Sequence, residues 1–145
     1  AARRAGLGRG QGGGRYGGGG YAGGRDEIFA TWKASIGEVA GCPNVVVKLG
    51  GLAMRLLGYD FHERPRPPSS EQAAAAWRPY VETCIELFGA DRCMFEGNFP
   101  VDKMAIGYPA LWNAFKRIAS GASHGEKLAL FAGTAARIYH PGGVQ

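Results

Sequence analysis

The sequence predicts an α/β protein built from parallel βα units. Apolar residues recurring at three- and four-residue spacing mark helices, two short apolar runs between glycines and prolines mark strands, and the two types alternate along the chain. The alternation begins only after residue 25, so each element is taken from there.

Ile28, Phe29, Trp32, Ile36 and Val39 fall on one helical face, and Gly41-Cys42-Pro43 predicts its end, because glycine suits a C-terminal cap and proline cannot continue a helix. Val45-Val46-Val47-Lys48-Leu49 follows, a β-branched run closed by Gly50-Gly51, and reads as a buried strand. Gly50 to Pro68 shows no period and contains Pro65, Pro67 and Pro68, which predicts a long loop. Ser69 and Gln72 have the spacing of a capping box, opening a helix with Trp77, Tyr80, Val81, Cys84, Ile85 and Phe88 on one face and Gly89 at its end. Cys93-Met94-Phe95-Glu96 reads as a second short strand before the turn-rich Gly97-Asn98-Phe99-Pro100. Tyr108, Leu111, Trp112, Phe115 and Ile118 predict a helix over 108–119. Ser123 and Glu126 form a second capping box ahead of Leu128, Leu130 and Phe131, and a last short helix covers Ala135 to Tyr139. Trp32, Trp77 and Trp112 sit at helical spacing among other apolar residues and are read as core.

Residues 1–25 are different in kind. They hold 12 of the chain's 25 glycines and five arginines with no acid, a composition too poor in apolar side chains to offset the entropy of ordering, so a disordered Gly/Arg-rich tail is expected. Residues 26–145 carry 12 basic and 12 acidic side chains, so the net charge of +5 belongs to the tail and the body is balanced. Hydrophobic residues at 46% suffice for a core, and the expected organisation is a tail over 1–25, a folded part over 26–140 and a short tail over 141–145. The 145 residues fall well short of the ~250 of a complete eight-unit α/β barrel. Cys42, Cys84 and Cys93 lack metal-type spacing and leave an odd thiol, which fits a reducing compartment. No apolar run approaches the length of a membrane span and no apolar segment follows the first arginines, so no membrane partner is expected and a cytoplasmic location is.

The segments Pro43 to Gly51 and Phe88 to Pro100 resemble the seventh and eighth strand regions of the amidohydrolase-related family, and Leu130 to Tyr139 resembles its closing helix. The resemblance runs from about Tyr21 to His140. It implies a partial (β/α)8 TIM barrel, the last two βα units with the C-terminal helices. It also implies a parent enzyme that hydrolyses a small cyclic ester or amide, or carries out a related decarboxylation, on a small-molecule substrate. Members of that family use a His-x-His pair on the first strand, histidines on the fifth and sixth, and an Asp on the eighth, all at the strands' C-terminal ends.

This chain departs from the pattern. His62, His124 and His140 are isolated, Gly and Arg stand before Tyr21 where the sixth-strand His would fall, and Asn98 occupies the position of the last-strand Asp. A neutral amide cannot deprotonate water, so the expectation is no metal and no catalysis in this chain, with a divalent metal reserved for a full-length relative. Asn98 is then a substrate-orienting candidate, or a turn residue before Phe99-Pro100. His62, Arg64 and Arg66 lie in the long loop, as a lid with an acid-binding arginine or as a solvated loop. Glu96 alternates with Met94 and Asn98 and calls for a partner such as Lys48. Asp102-Lys103 reads as a pocket cap or a surface pair.

A different class is open through the tail, where Arg15-Tyr16-Gly17-Gly18 and Gly20-Tyr21 are compatible with a non-enzymatic protein that contacts RNA, although five arginines without a repeated unit make nucleic acid the weaker expectation. Two strands cannot close a sheet, so self-association or aggregation of the isolated chain is expected.

Overall fold

The computed structural model describes residues 24–139, and the expectations for the two terminal segments, the RNA-contacting tail among them, lie outside the described residues. Helix α1 spans Arg25–Ala40, with Asp26 and Glu27 in its first turn, where carboxylates complement the positive end of the helix dipole. Arg25, assigned to the tail by composition, is instead the first helical residue. Its guanidinium donates to the Gly58 carbonyl at 3.0 Å and lies over the Tyr59 ring at 4.9 Å, so the helix start is anchored to the long loop. Phe29 and Trp32 pack on Tyr80 with ring centroids 5.1 and 4.9 Å apart. Ile28 and Val39, expected on the packed face, are exposed. Gly41 keeps a right-handed φ of −63°, so the glycine does not cap the helix by its conformational freedom. Arg92 closes that end, donating to Ala40 O at 3.1 Å and Cys42 O at 2.9 Å.

Strands β1 (Val47–Leu49) and β2 (Cys93–Phe95) pair in parallel, with Val47 opposite Cys93, Lys48 opposite Met94 and Leu49 opposite Phe95. The first is shorter than the expected Val45 to Leu49, since only the three residues opposite Cys93–Phe95 find a ladder partner. Helix α2 (Ser70–Phe88) is the crossover of this βαβ unit. The Ser69–Gln72 capping box is formed in both directions, and Gly89 ends the helix at φ +80°, a conformation that a side chain would resist. Between β1 and α2 the loop is not featureless: it winds into two 3₁₀ turns, Arg55–Leu57 and Asp60–Glu63.

Helix α3 (Tyr108–Ile118) buries Leu111, Ala114, Phe115 and Ile118 against α2. Tyr108, expected on that face, is exposed at the helix start, edge-on to Phe99 and Trp112. Helix α4 (His124–Leu128) opens with the second capping box. It continues through a π-helical turn over Ala129–Gly133 into α5 (Thr134–Tyr139). The core is aromatic: Phe115 stacks on Phe95 at 4.5 Å and packs on Trp77 at 5.8 Å, while Phe131 meets Phe95 at 4.8 Å. Trp77 is fully buried and Trp32 and Trp112 partly so; removing an indole from such a centre costs about 3–5 kcal/mol.

Candidate functional site

Because β1 and β2 run the same way, their C-terminal ends open on one side, where the chain leaves β1 through Gly50 and β2 through Glu96 and Gly97. A methyl on Gly50 would lie 2.7 Å from the Glu96 carbonyl oxygen, so the two strand ends close on each other only with glycine there. Glu96 N–H extends the ladder to Leu49 O at 3.3 Å. Glu96 forms an ion pair with Lys48, whose ammonium pKa is raised first by the hydrogen bond to that carboxylate and then by its charge. The pair joins neighbouring strands across the sheet at the site's edge.

Next along β2 comes Asn98, at φ +47°, in the left-handed region that asparagine tolerates better than most residues. Its side chain lies over Gly51, whose own φ is +71°, and its Nδ2 donates to Asp102 Oδ1 at 2.9 Å. Of the two readings of Asp102-Lys103, pocket cap or surface pair, the structure overturns the surface pair: Asp102 is only 1% exposed, whereas Lys103 is exposed. Burial pushes the Asp102 carboxyl above the ordinary carboxylate range, opposed by hydrogen bonds from the Asn98 amide and the Ala53 backbone, with the Glu96 charge adding to the rise. The sequence left Asp102 between a pocket cap and a surface pair; its pairing with Asn98, one turn back across Pro100, is what the sequence reading missed.

The remaining candidates do not converge on this pair. His62 is half-buried with Nε2 3.3 Å from Glu63 Oε1, and Arg64 lies exposed over the Phe61 ring at 4.9 Å. No hydrogen bond or ion pair among the described residues joins His62, Arg64 or Lys103 to Asn98. No three His, Cys, Asp or Glu side chains among the described residues come together as a metal site. With Asn98 neutral and its nitrogen turned to Asp102, the strand ends of this chain do not by themselves fit a divalent metal ion.

On the other side of β1, an apolar cavity of about 300 Å³ lies between the strand, α1, α2 and the long loop. Trp32, Ile36, Val47, Leu49, Leu52 and Val81 are among the residues that line it. No helix among the described residues is long and apolar enough to cross a membrane, and the three cysteines are unpaired.

A parallel βαβ unit whose strand ends carry its polar groups defines an α/β protein of the kind that places chemistry at the C-terminal edge of a sheet. The chain belongs to the amidohydrolase family, whose model matches residues 17–140. It is 42% identical over 111 residues to the uncharacterized protein y4mH of Sinorhizobium fredii, covering 77% of this chain and 33% of that protein. It is 34% identical over 119 residues to the L-fucono-1,5-lactonase of Burkholderia multivorans, covering 79% of this chain and 36% of the lactonase. Two crystal structures of an amidohydrolase from Burkholderia multivorans, one with bound zinc and one with bound HEPES, superpose with TM-scores of 0.68 and 0.69 at 32% identity. Each covers 79% of this chain and 38% of the solved one. The chain thus spans about a third of the length of the relatives it matches.

Proposed function

We propose that this chain is the C-terminal part of a (β/α)8-barrel hydrolase that opens a small cyclic ester, a sugar lactone in the first instance, and that the chain alone does not catalyse the reaction. The observation that carries the reading is the parallel β1–β2 pair with its polar groups gathered at one end, in a chain that covers little more than a third of a solved amidohydrolase. The cavity beside β1 supports it. A right-handed crossover through α1 would bring the strand preceding that helix alongside the free edge of β1, over the apolar residues that line the cavity. The lactonase relative supports an ester-opening activity, and the zinc-bound structure supports a divalent metal held by the parent's other strands. Unpaired cysteines fit a cytoplasmic setting.

The test is hydrolysis of L-fucono-1,5-lactone by proton release, for the 145-residue chain and for a chimera joining the leading two-thirds of the Burkholderia lactonase to this chain. The chain is expected to leave the background rate unchanged and the chimera to exceed it. Turnover by the chain alone would overturn the incomplete-site reading, and a folded chimera that stays inert toward lactones even with Asn98→Asp would overturn the substrate class.

A further inference from the structure

Asn98 and Asp102 hold each other twice. The Asp102 N–H donates to Asn98 O at 3.1 Å, and Asn98 Nδ2 donates to Asp102 Oδ1 at 2.9 Å. A carboxyl oxygen at that distance accepts the amide hydrogen, so the arrangement fixes which end of the Asn98 amide is which: nitrogen toward the interior, oxygen away from it. Asp102 cannot follow the side chain outward, because it is buried and its own carbonyl accepts from the Ala105 and Ile106 N–H groups, both at 3.0 Å. Asn98 Oδ1 accepts no hydrogen bond from the described residues and is not among the buried unpartnered atoms, so it stands open at the end of β2.

The geometry points to Asn98 Oδ1 as a fixed hydrogen-bond acceptor that selects a substrate carrying a hydroxyl group, with Asp102 as the positioning residue that keeps the amide from turning over. The inference rests on the lactonase reading and deepens it by naming the side-chain atom that takes a hydroxyl of the sugar lactone and the residue that holds it in place. A flipped amide would offer two donors at the same place, so an unpinned Asn98 distinguishes a hydroxyl from other polar groups poorly. A pinned acceptor favours an O–H donor. A single net hydrogen bond of this kind is worth up to about tenfold in affinity.

The experiment uses the ¹⁵N-labelled 145-residue chain with Leu56→Lys and Leu57→Lys, which keep it from self-associating, and two cyclic ethers that resist hydrolysis, 1,5-anhydro-D-glucitol and tetrahydropyran, as probes followed by NMR. The second probe has the ring without any hydrogen-bond donor. The expected result is about tenfold tighter binding of the hydroxylated ether, with the Asn98 side-chain amide resonances moving. That preference should disappear in Asp102→Ala and survive in Asp102→Asn, whose amide oxygen still accepts from Nδ2. A role in folding alone would weaken both ethers equally and leave the ratio unchanged. Equal binding of the two ethers with Asn98 unmoved would overturn the inference and leave the lactonase reading standing. Binding of neither would overturn both the inference and the assignment of a substrate-facing side to this chain.

Discussion

Gly50 and Glu96 approach so closely that a β-carbon on the glycine would lie 2.7 Å from the glutamate's carbonyl oxygen and 2.7 Å from its Cγ. A backbone oxygen in a strand ladder cannot step aside as a flexible side chain could. Gly50→Ala therefore forces β1 and β2 apart at their C-terminal ends, and overpacking of this kind costs about 1–3 kcal/mol. Chemical denaturation should show that loss, and the Lys48–Glu96 ion pair should loosen with it. An unchanged midpoint would mean that the strand ends are free to separate.

Arg92 fastens three chain segments with one side chain. Its Nε donates to Phe88 O at 2.9 Å at the end of α2, and its two terminal nitrogens take the carbonyls of Ala40 and Cys42 at the end of α1. Charged hydrogen bonds of this type contribute about 1.5–3 kcal/mol when their loss strands a partner. Arg92→Ala should lower stability by about 2 kcal/mol. Arg92→Lys should recover only part of it, because one ammonium cannot reproduce the guanidinium's spread of donors. Amide hydrogen exchange at the C-terminal turn of α1 should rise in both variants.

The three thiols separate by environment. Cys42 is exposed, while burial raises Cys84 to about 11 and Cys93 to about 12, so neither buried thiol holds thiolate at neutral pH. A thiol reagent at pH 7.5 should therefore titrate one group rapidly in the native chain and all three after denaturation. Rapid reaction of two or three would contradict the packing of α2 on β2.

Asp102 sets a slope in stability against pH. Its carboxyl titrates above the ordinary carboxylate value in the folded chain, so between the two values the folded state binds more proton than the unfolded state. Stability on its account is greatest below that window and falls as pH rises through it. Exposed Glu71 and Glu126 have lowered values and act in the opposite direction, so the informative quantity is the difference between wild type and Asp102→Asn. That difference should shift in favour of the variant as pH climbs from about 4 through the mildly acidic range. A flat difference would show that the Asp102 carboxyl is not raised by burial.

Most of the fold was legible because its signals are local. Ser69 with Gln72, Ser123 with Glu126, and Gly89 each announce a helix end through backbone chemistry contained within a few residues. The strands were legible in place but not in length, since ladder partners set Val47–Leu49 and those lie 46 residues away in sequence. The end of α1 falls where Gly41-Cys42-Pro43 put it, but not by the means expected: Gly41 stays right-handed, and Arg92, from beyond α2, takes the terminal carbonyls. At the candidate site, Asn98 could be placed from the resemblance and Glu96 from its need for a counter-charge. The partner of Asp102 could not, because its sequence neighbour Lys103 offered a nearer pairing than the amide one turn back. Periodicity also put Ile28 and Tyr108 inside, where the described residues leave them uncovered.

Ile28 belongs to a larger feature that bears on how the chain behaves alone. It stands with Leu56 and Leu57 around the cavity beside β1, and all three are exposed, Leu56 at 64%. A contiguous apolar opening beside an unpaired strand edge is the kind of surface that recruits another chain. The isolated protein should therefore self-associate at micromolar concentration, with a sedimentation coefficient that rises with concentration. Leu56→Lys with Leu57→Lys should suppress it, since both side chains are solvent-facing and the charges repel a second copy without disturbing the core. Joining the leading two-thirds of the lactonase should suppress it as well, by covering the same surface from within one chain. Persistent association of the lysine variant would move the contact elsewhere. The exposed Val101 and Met104, beyond the end of β2, would be the next surface to test.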